Sequence, residues 1–304
     1  SKDRRACFWR VRFSVNCGHL SFGSRHSGGT FQHSGDSTVP SNQYETLMRH
    51  VYEHGTHKSD RTGTGTRSVF GYQMRFNLAE GFPLVTTKKL HLRSIIHELL
   101  WFLQGSSNIK YLHDNGVTIW DEWADETGSI GKAYGYQIGQ KSHYAEGDFD
   151  QMDRVLYDLK HTPYSRRIMT NTYVFSDLSE MHLYPCAYSV TYNVTQRPQD
   201  DKPTLNMILN QRSQDILAAN NWNVCQYAIL LMMVAQSVDM IPGELLHVAD
   251  IVAHQKGNII KLEHNQFVSI NRLSKVELRV TLEAFGHEHK AAILKALQSE
   301  GYDA

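Results

Sequence analysis

Two short segments carry residue types suited to nucleophilic chemistry: residues 183–189, which contain Cys186, and residues 211–215, which contain Arg212. Pro185 fixes its own backbone φ angle and lacks an N–H donor, which suits a strand start or a bulge and would aim the thiol that follows. A free thiol has a pKa of about 8.5, so a thiolate majority at neutral pH requires that pKa to fall by about 2, or about 2.7 kcal/mol. A guanidinium a few ångström away lowers a pKa by about 1 to 3, and Arg212 is the candidate. The alternative, a buried structural cysteine, is disfavoured by the motifs around it.

A carboxylate at position 98 is suited to proton transfer. Residues 91–104 predict a helix with an apolar stripe, and Glu98 lies at the edge of that stripe. A carboxylate in this place would be partly desolvated, so its pKa would rise and it could shuttle protons near neutral pH. The alternative is a side chain that carries its carboxylate out to water.

Three other segments have residues that bind anions or flat rings. Residues 59–66 alternate Gly and Thr in a loop whose N–H and hydroxyl groups could surround an anion, with Arg61 as a clamp; a plain hairpin is the alternative. The adjacent Arg166 and Arg167 predict either a phosphate contact or a solvated turn. Residues 119–125 combine two tryptophans with three acids, which predicts either a stacking wall for a heterocycle or a corner of the core.

Composition excludes several classes of protein. The 304-residue chain has 31 basic and 31 acidic residues, and this neutral balance gives no general attraction to nucleic acids or membranes. Its four cysteines show neither a CxxC pair nor a zinc-type Cys/His spacing, which favours a reducing compartment, a cytoplasmic location and no metal site. The longest apolar run, residues 227–235, is too short to span a bilayer.

Hydrophobic periodicity predicts the elements that must position these motifs. Helical spacing predicts helices over residues 43–57, 91–104, 150–160 and 224–238. Apolar runs and alternations predict strands over residues 69–76, 168–174, 187–194 and 204–209. Residues 1–42 are rich in Ser, Gly, His and Arg, which predicts a disordered leader or, alternatively, a mitochondrial-type presequence.

Seven motifs in this order resemble the folate-dependent thymidylate synthases. The motifs are residues 60–66, 82–105, 118–125, 165–167, 184–186, 211–215 and 223–227. The resemblance covers about residues 43–248 and implies an α+β fold, in which a mixed β-sheet is flanked by helices. It also implies the reductive methylation of dUMP to dTMP, with 5,10-methylenetetrahydrofolate as co-substrate and no metal.

For the nucleotide, the resemblance implies that Cys186 attacks C6 of the uracil ring and forms a covalent adduct. Arg212 would serve both the thiolate and the phosphate. The implied remaining nucleotide contacts are Arg61, Gln211 and Ser213, together with Arg166 and Arg167 given by the second subunit of a homodimer.

For proton transfer and the folate, the resemblance implies five further roles. Glu98 would organise water and shuttle protons, and Tyr134 would assist proton removal at C5. Trp120 and Asp215 would contact the folate, and Lys88 would lie near its glutamate tail.

Asn223 is implied to select the base. A carboxamide has both a donor and an acceptor, so it can pair with the O4 and N3–H edge of uracil. A carboxylate only accepts and would favour the amino group of cytosine. The related dCMP hydroxymethylases carry Asp at the matching position, so Asn223 favours dUMP, and that sister activity is the nearest enzymatic alternative.

After residue 248 the sequence departs from the family pattern. Thymidylate synthases continue with Asp-x-His-x-Tyr, whose His and Tyr hold the sugar 3′-hydroxyl, and end in a tail that folds over the folate. Here the chain has Asp250, Val252 and His254 at these places, and the closing tail is not found. We therefore expect poor turnover, since buried hydrogen bonds to the sugar would be unmade and water would enter the site.

The remaining sequence resembles part of an ACT domain of the threonine dehydratase type. Residues 245–257 predict a short helix, residues 258–267 and 276–285 predict strands, and residues 287–299 predict a second helix. The expected organisation is a leader over residues 1–42, a synthase-like domain over 43–248 and an incomplete ACT-like αββα segment over 249–304. A non-catalytic protein that binds a nucleotide or an amino acid for regulation is the alternative function.

Overall fold

The computed structural model describes residues 43–58, 65–85, 87–254, 258–265 and 277–283. Its helices are α1 (Gln43–His54), α2 (Leu92–Leu103), α3 (Lys110–Asp114), α4 (Gly135–Gly139), α5 (Gln151–His161) and α6 (Asn220–Ser237). Two 3-10 helices occupy Asp121–Trp123 and Phe175–Glu180. Its strands are β1 (Thr56–Lys58), β2 (Thr66–Asn77), β3 (Ser142–Tyr144), β4 (Gly147–Phe149), β5 (Met169–Asn171), β6 (Ala187–Thr195), β7 (Thr204–Asp215), β8 (Ile241–His254), β9 (Asn258–Asn265) and β10 (Glu277–Glu283).

One six-stranded mixed sheet organises the fold, with strand order β1-β2-β8-β7-β6-β5. Its neighbours are antiparallel except β7 and β8, which run parallel and place Leu209 beside His247. A parallel pair needs a long crossover, and α6 provides it between these two strands. The sheet with its flanking helices confirms the predicted α+β class.

The inner face of the sheet forms the core with α1, α2 and α6. Side chains on this face are buried in register across the four longest strands, as Val190, Leu209, His247 and Met74 show. Helix α6 is apolar on nearly all sides, and it packs on β7 and β8 while α2 packs on α6. A second cluster of buried aromatic and aliphatic side chains lies where α2 meets α3 and the segment before α4.

Most predicted elements are confirmed, and their ends matter for the site. The helices predicted over residues 43–57, 91–104 and 150–160 are α1, α2 and α5. Strand β7 runs to Asp215, past the predicted end at residue 209, so Arg212 lies on a strand. Helix α6 begins at Asn220 rather than residue 224, which places Asn223 in its first turn.

The helix predicted to begin at residue 245 is wrong, because this segment belongs to β8. Leu245, His247, Ala249 and Ile251 alternate with less buried residues, which is the period of a strand. The same apolar residues also suit one side of a helix, and pairing with β2 and β7 decides between the two. The first helix of the ACT-like αββα segment is therefore replaced by a strand.

The two strands predicted after residue 257 are confirmed as β9 and β10, an antiparallel pair. The helix predicted over residues 287–299 and the leader over residues 1–42 lie outside the described residues. Among the helices that are described, none has the length and apolar character needed to cross a membrane.

His247 is an ionisable side chain fully buried in this core. It is 0% exposed, its Nε2 hydrogen-bonds with Oε1 of Gln211, and its Nδ1 has no partner in the described part of the chain. Burial lowers the pKa of His247 to about 4, because the imidazolium form would lose its hydration.

We expect the stability of the protein to fall on acidification through His247. Between pH 6.5 and 4 the unfolded chain binds a proton at this residue that the native state does not bind. The free energy of unfolding therefore decreases as the pH is lowered through this range. Replacing His247→Gln should therefore reduce the loss of unfolding free energy between pH 7 and pH 5 by about 2 kcal/mol. Urea unfolding at the two pH values measures this difference. The same loss in wild type and variant would contradict the prediction, whatever the stability of the variant at pH 7.

Candidate active site

Cys186 immediately precedes β6, and a backbone hydrogen bond connects it to β7. Its carbonyl accepts a hydrogen bond from the Arg212 N–H at 3.0 Å, and the register between β6 and β7 shifts just after Ala187. Pro185 is buried before it, and Cys186 itself is half-buried. Pro185 therefore lies two residues before the first residue of β6, Ala187, and not at the strand start itself.

The guanidinium of Arg212 is held by the carbonyls that precede the cysteine. Its Nε donates to the Pro185 carbonyl at 3.0 Å, and its Nη2 donates to the Tyr184 carbonyl at 2.8 Å. The same Nη2 lies 3.9 Å from the Cys186 Sγ. The predicted proximity of sulfur and guanidinium is therefore confirmed, with Arg212 on β7 and Cys186 immediately before β6.

The net direction of the predicted pKa shift at Cys186 is wrong. Burial raises the pKa of the Cys186 thiol above its ordinary value, while the Arg212 charge and a hydrogen bond with the Tyr134 hydroxyl lower it by less. Desolvation of a thiolate wins over one partly exposed guanidinium. The sulfur therefore carries its proton at neutral pH, and Arg212 reduces the cost of removing it.

Tyr134 lies on the other side of the cysteine, immediately before α4. Its hydroxyl accepts a hydrogen bond from the Cys186 N–H at 2.8 Å, and its ring stacks on Phe102 with centroids 4.9 Å apart. The backbone φ of Tyr134 is +38°, a conformation uncommon for a residue with a side chain. Burial holds the pKa of Tyr134 well above its ordinary value, so the phenol keeps its proton and can donate it in a hydrogen bond.

Glu98 is buried in α2 and accepts three hydrogen bonds. The Trp120 Nε1 donates to Oε1 at 2.6 Å, while the Trp222 Nε1 and the Gln226 Nε2 each donate to Oε2 at 2.6 Å. Burial raises the pKa of Glu98, and the three hydrogen bonds oppose it in part. The prediction of a desolvated carboxylate is confirmed, and the alternative of a carboxylate in water is wrong, since Glu98 is 5% exposed.

Trp120 belongs to the core and to the site at once. It is buried and packs edge-on against Tyr134, with ring centroids 5.4 Å apart. It also packs against Trp123, which is half-buried. Of the two interpretations of this aromatic segment, the core corner describes Trp120, and its contact with folate stays a prediction.

Lys88 and Asp215 hold the same loop between β7 and α6. The Oδ1 of Asp215 accepts hydrogen bonds from the N–H groups of Leu217 and Ala218, at 2.8 and 2.9 Å. The Lys88 ammonium donates to the carbonyl of Leu217 and lies 3.5 Å from that of Ala218. The loop is therefore fixed by one anion and one cation of the predicted folate site.

The remaining predicted nucleotide residues lie in different environments. Gln211 is buried on the inner face of the sheet and bonds with His247, whereas Ser213 is half-buried on β7 next to Arg212. Asn223 is half-buried in the first turn of α6.

Arg166 and Arg167 are exposed in the turn before β5, and neither guanidinium bonds with any described residue. They are not joined to the Cys186 cluster by any described contact. Arg61 lies outside the described residues.

Two site residues were missed by sequence reasoning, Trp222 and Gln226. They are four residues apart, so they lie on one face of a helix, and both donate to Glu98. The spacing was a usable signal, but the helix was predicted to begin at residue 224, which left Trp222 outside it. No group of three or more His, Cys, Asp and Glu side chains suited to a metal occurs among the residues that the structure describes.

We expect alkylation of Cys186 to depend on the charge of Arg212. In Arg212→Gln the thiolate loses its only described cationic neighbour, so the rate of reaction with iodoacetamide at pH 8 should fall about tenfold. Arg212→Lys should retain part of the rate. The rate is measured on the peptide that contains Cys186, by mass spectrometry across a pH series. Equal rates in the wild type and both variants would show that the guanidinium does not act on the sulfur.

The sequence of this chain matches a known protein family over the region that contains the candidate site. The sequence model of the thymidylate synthase family matches residues 42–282, well over half of the 304-residue chain. The matched region contains Cys186, Arg212, Glu98 and Tyr134, and it extends through β8 and β9 beyond the last resembling motif. The chain therefore belongs to the thymidylate synthase family.

Proposed function

We propose that this protein converts dUMP to dTMP with 5,10-methylenetetrahydrofolate, through a covalent adduct on Cys186. Membership of the family supports a methyltransferase that acts on dUMP and uses folate. The observation that carries the covalent mechanism is the Cys186 Sγ, 3.9 Å from the Arg212 guanidinium, beside the buried Tyr134 hydroxyl.

In the proposed first step, the Cys186 thiol gives up its proton to solvent water, and its Sγ forms a bond to C6 of uracil. The electron pair of the C5–C6 double bond moves toward C5 and O4, which leaves C5 nucleophilic. Arg212 stabilises the sulfur anion before the bond forms, and its location beside the site suits the nucleotide phosphate. A half-buried, protonated sulfur limits unwanted alkylation until a substrate is present.

Glu98 and Tyr134 supply the proposed proton transfers. Glu98 is buried with a raised pKa, so it can exchange a proton with the pyrimidine or with an ordered water near neutral pH. Tyr134 keeps its proton, so it acts as a hydrogen-bond donor and orients water for the removal of the proton at C5. Neither group needs a metal for this chemistry.

The folate would lie against Trp120 and the loop held by Asp215 and Lys88. When bound it supplies a one-carbon unit and the hydride that reduces it. The indole N–H of Trp120 is already used by Glu98, so Trp120 offers only its apolar ring to a pterin. Gln211, Ser213 and Arg61 are proposed to complete the nucleotide site.

We also propose a homodimer, in which Arg166 and Arg167 bind the phosphate of the partner's nucleotide. Both guanidinium groups are exposed and bond with no described residue. The outer face of the sheet supports the pairing, because it carries Ile208, Leu246 and Val248 on its central strands, only half-buried. These three apolar side chains, grouped on two neighbouring strands, favour contact with a second copy of the same face.

Reduced turnover is part of the proposal. Val252 and His254 stand where the family resemblance places the His and Tyr that hold the sugar 3′-hydroxyl. A methyl-bearing side chain cannot make the hydrogen bond of an imidazole. The adduct would therefore form more readily than the complete reaction proceeds.

Incubation with 5-fluoro-dUMP and 5,10-methylenetetrahydrofolate should produce a covalent complex visible by mass spectrometry. Cys186→Ser and Cys186→Ala should both abolish it, because the sulfur nucleophile is absent. Release of tritium from [5-³H]dUMP should fall by on the order of 10³-fold or more in these variants. Tight dUMP binding with neither adduct nor tritium release in the wild type would instead support the non-catalytic alternative.

Asn223→Asp should shift base preference from dUMP toward dCMP, since a carboxylate accepts from the cytosine amino group and repels O4 of uracil. The measurement is the ratio of tritium release from the two labelled nucleotides. Asn115→Asp, at a half-buried position just after α3, is a matched control that should leave the ratio unchanged. An unchanged ratio in Asn223→Asp would remove Asn223 from base selection.

A further inference from the structure

We propose that Trp222 is a positioning residue for this reaction, whose indole N–H holds the Glu98 carboxylate in one orientation between two tryptophans. The inference rests on the proposed function, because it assigns a supporting role at the same site. Trp222 is absent from the roles implied by the motifs, and only the start of α6 at Asn220 brings it to Glu98.

The geometry at Glu98 leaves little freedom to the carboxylate. The Trp120 indole donates to Oε1 and the Trp222 indole donates to Oε2, each at 2.6 Å. With both oxygens bound, the orientation of the carboxylate plane is fixed. Gln226 adds a second donor at Oε2, again at 2.6 Å. Oε1 therefore has a single described donor, which leaves one of its lone pairs for water or substrate.

The donors around Glu98 are neutral, and this is the reason that each one matters. The described hydrogen-bond partners of Glu98 are two indoles and one amide, so no cation compensates the desolvation of this buried carboxylate. Two of the three donors lie in the first two turns of α6, where the helix dipole also favours a negative charge. Loss of the Trp222 donor would leave Oε2 with Gln226 alone.

Two titratable side chains from the elements packed against Glu98 act on its carboxylate. Tyr134, before α4, and Tyr227, on α6, both interact electrostatically with this carboxylate. Burial raises the pKa of both phenols, so they stay neutral when Glu98 titrates. A change in the Glu98 titration in a Trp222 variant would therefore report the lost hydrogen bond.

Trp222→Phe keeps an aromatic ring and removes the N–H. We expect the pKa of Glu98 to rise by on the order of one pH unit, because the ionised form loses a donor. In the free protein, ¹³C NMR of δ-carbon-labelled glutamate follows the titration, and the Glu98 signal is assigned by its loss in Glu98→Gln. In the pH–rate profile of tritium release, the transition caused by Glu98 is the one that is absent in Glu98→Gln. In Trp222→Phe this transition should move to higher pH by the same amount.

Trp101→Phe is the matched control. Trp101 is a buried indole in the same helix as Glu98, and its N–H donates to the Asn108 carbonyl at 2.8 Å rather than to a carboxylate. This variant should leave the Glu98 titration unchanged, although it also loses an indole hydrogen bond. The ratio of dUMP to dCMP turnover should stay constant in Trp222→Phe, which would show that the adjacent Asn223 has kept its place.

The Glu98 titration and adduct formation with 5-fluoro-dUMP test the role of Trp222 and the proposed reaction separately. An unchanged Glu98 titration in Trp222→Phe, or an equal shift in Trp101→Phe, would overturn the role of Trp222. A Glu98 titration that moves only in Trp222→Phe, in a protein that forms no adduct with 5-fluoro-dUMP, would confirm the contact and refute the proposed reaction, and with it the positioning role.

Discussion

The attachment of Arg212 to the chain around Cys186 is the interaction on which the site depends. The backbone N–H of Arg212 binds the Cys186 carbonyl, and its guanidinium binds the two carbonyls before the cysteine. These bonds set the distance between sulfur and positive charge by main-chain geometry, which leaves little to side-chain flexibility. They also leave an Nη2 N–H directed at the sulfur. Strand pairing between β6 and β7 thus builds the centre of the site.

Burial then favours the neutral form of three groups at that centre. It raises the pKa of Cys186, Tyr134 and Glu98 in the same direction, toward the neutral form. Around the buried Glu98, hydrogen bonds are stronger than on a surface, because water does not screen them. The indoles at Glu98 therefore have more influence than the same groups on a surface. As a consequence, Cys186 is a neutral thiol in the free protein.

Strand β8 is the central element that joins β2 to β7. It lies between these two strands along most of its length. The alternation of Leu245, His247, Ala249 and Ile251 supplies the buried face that the sheet requires. Asp250, on the opposite face, accepts a hydrogen bond from the N–H of Gly71 at the bulge in β2. Strand β8 is therefore held in the sheet by its buried face and by this contact with β2.

From the sequence alone, most of the supporting elements and the proximity of Cys186 and Arg212 could be predicted. Residue type and spacing made Cys186, Arg212 and Glu98 candidates, and apolar periodicity located α1, α2, α5 and most strands, because these signals are local. Periodicity could not settle β8, since one apolar pattern suits both a helix and a strand until neighbours pair with it. The donors at Glu98 and the net pKa of Cys186 also needed the tertiary structure. Both depend on desolvation and on side chains distant in sequence, and only the packed fold brings α6 to Glu98 and removes water from the thiol.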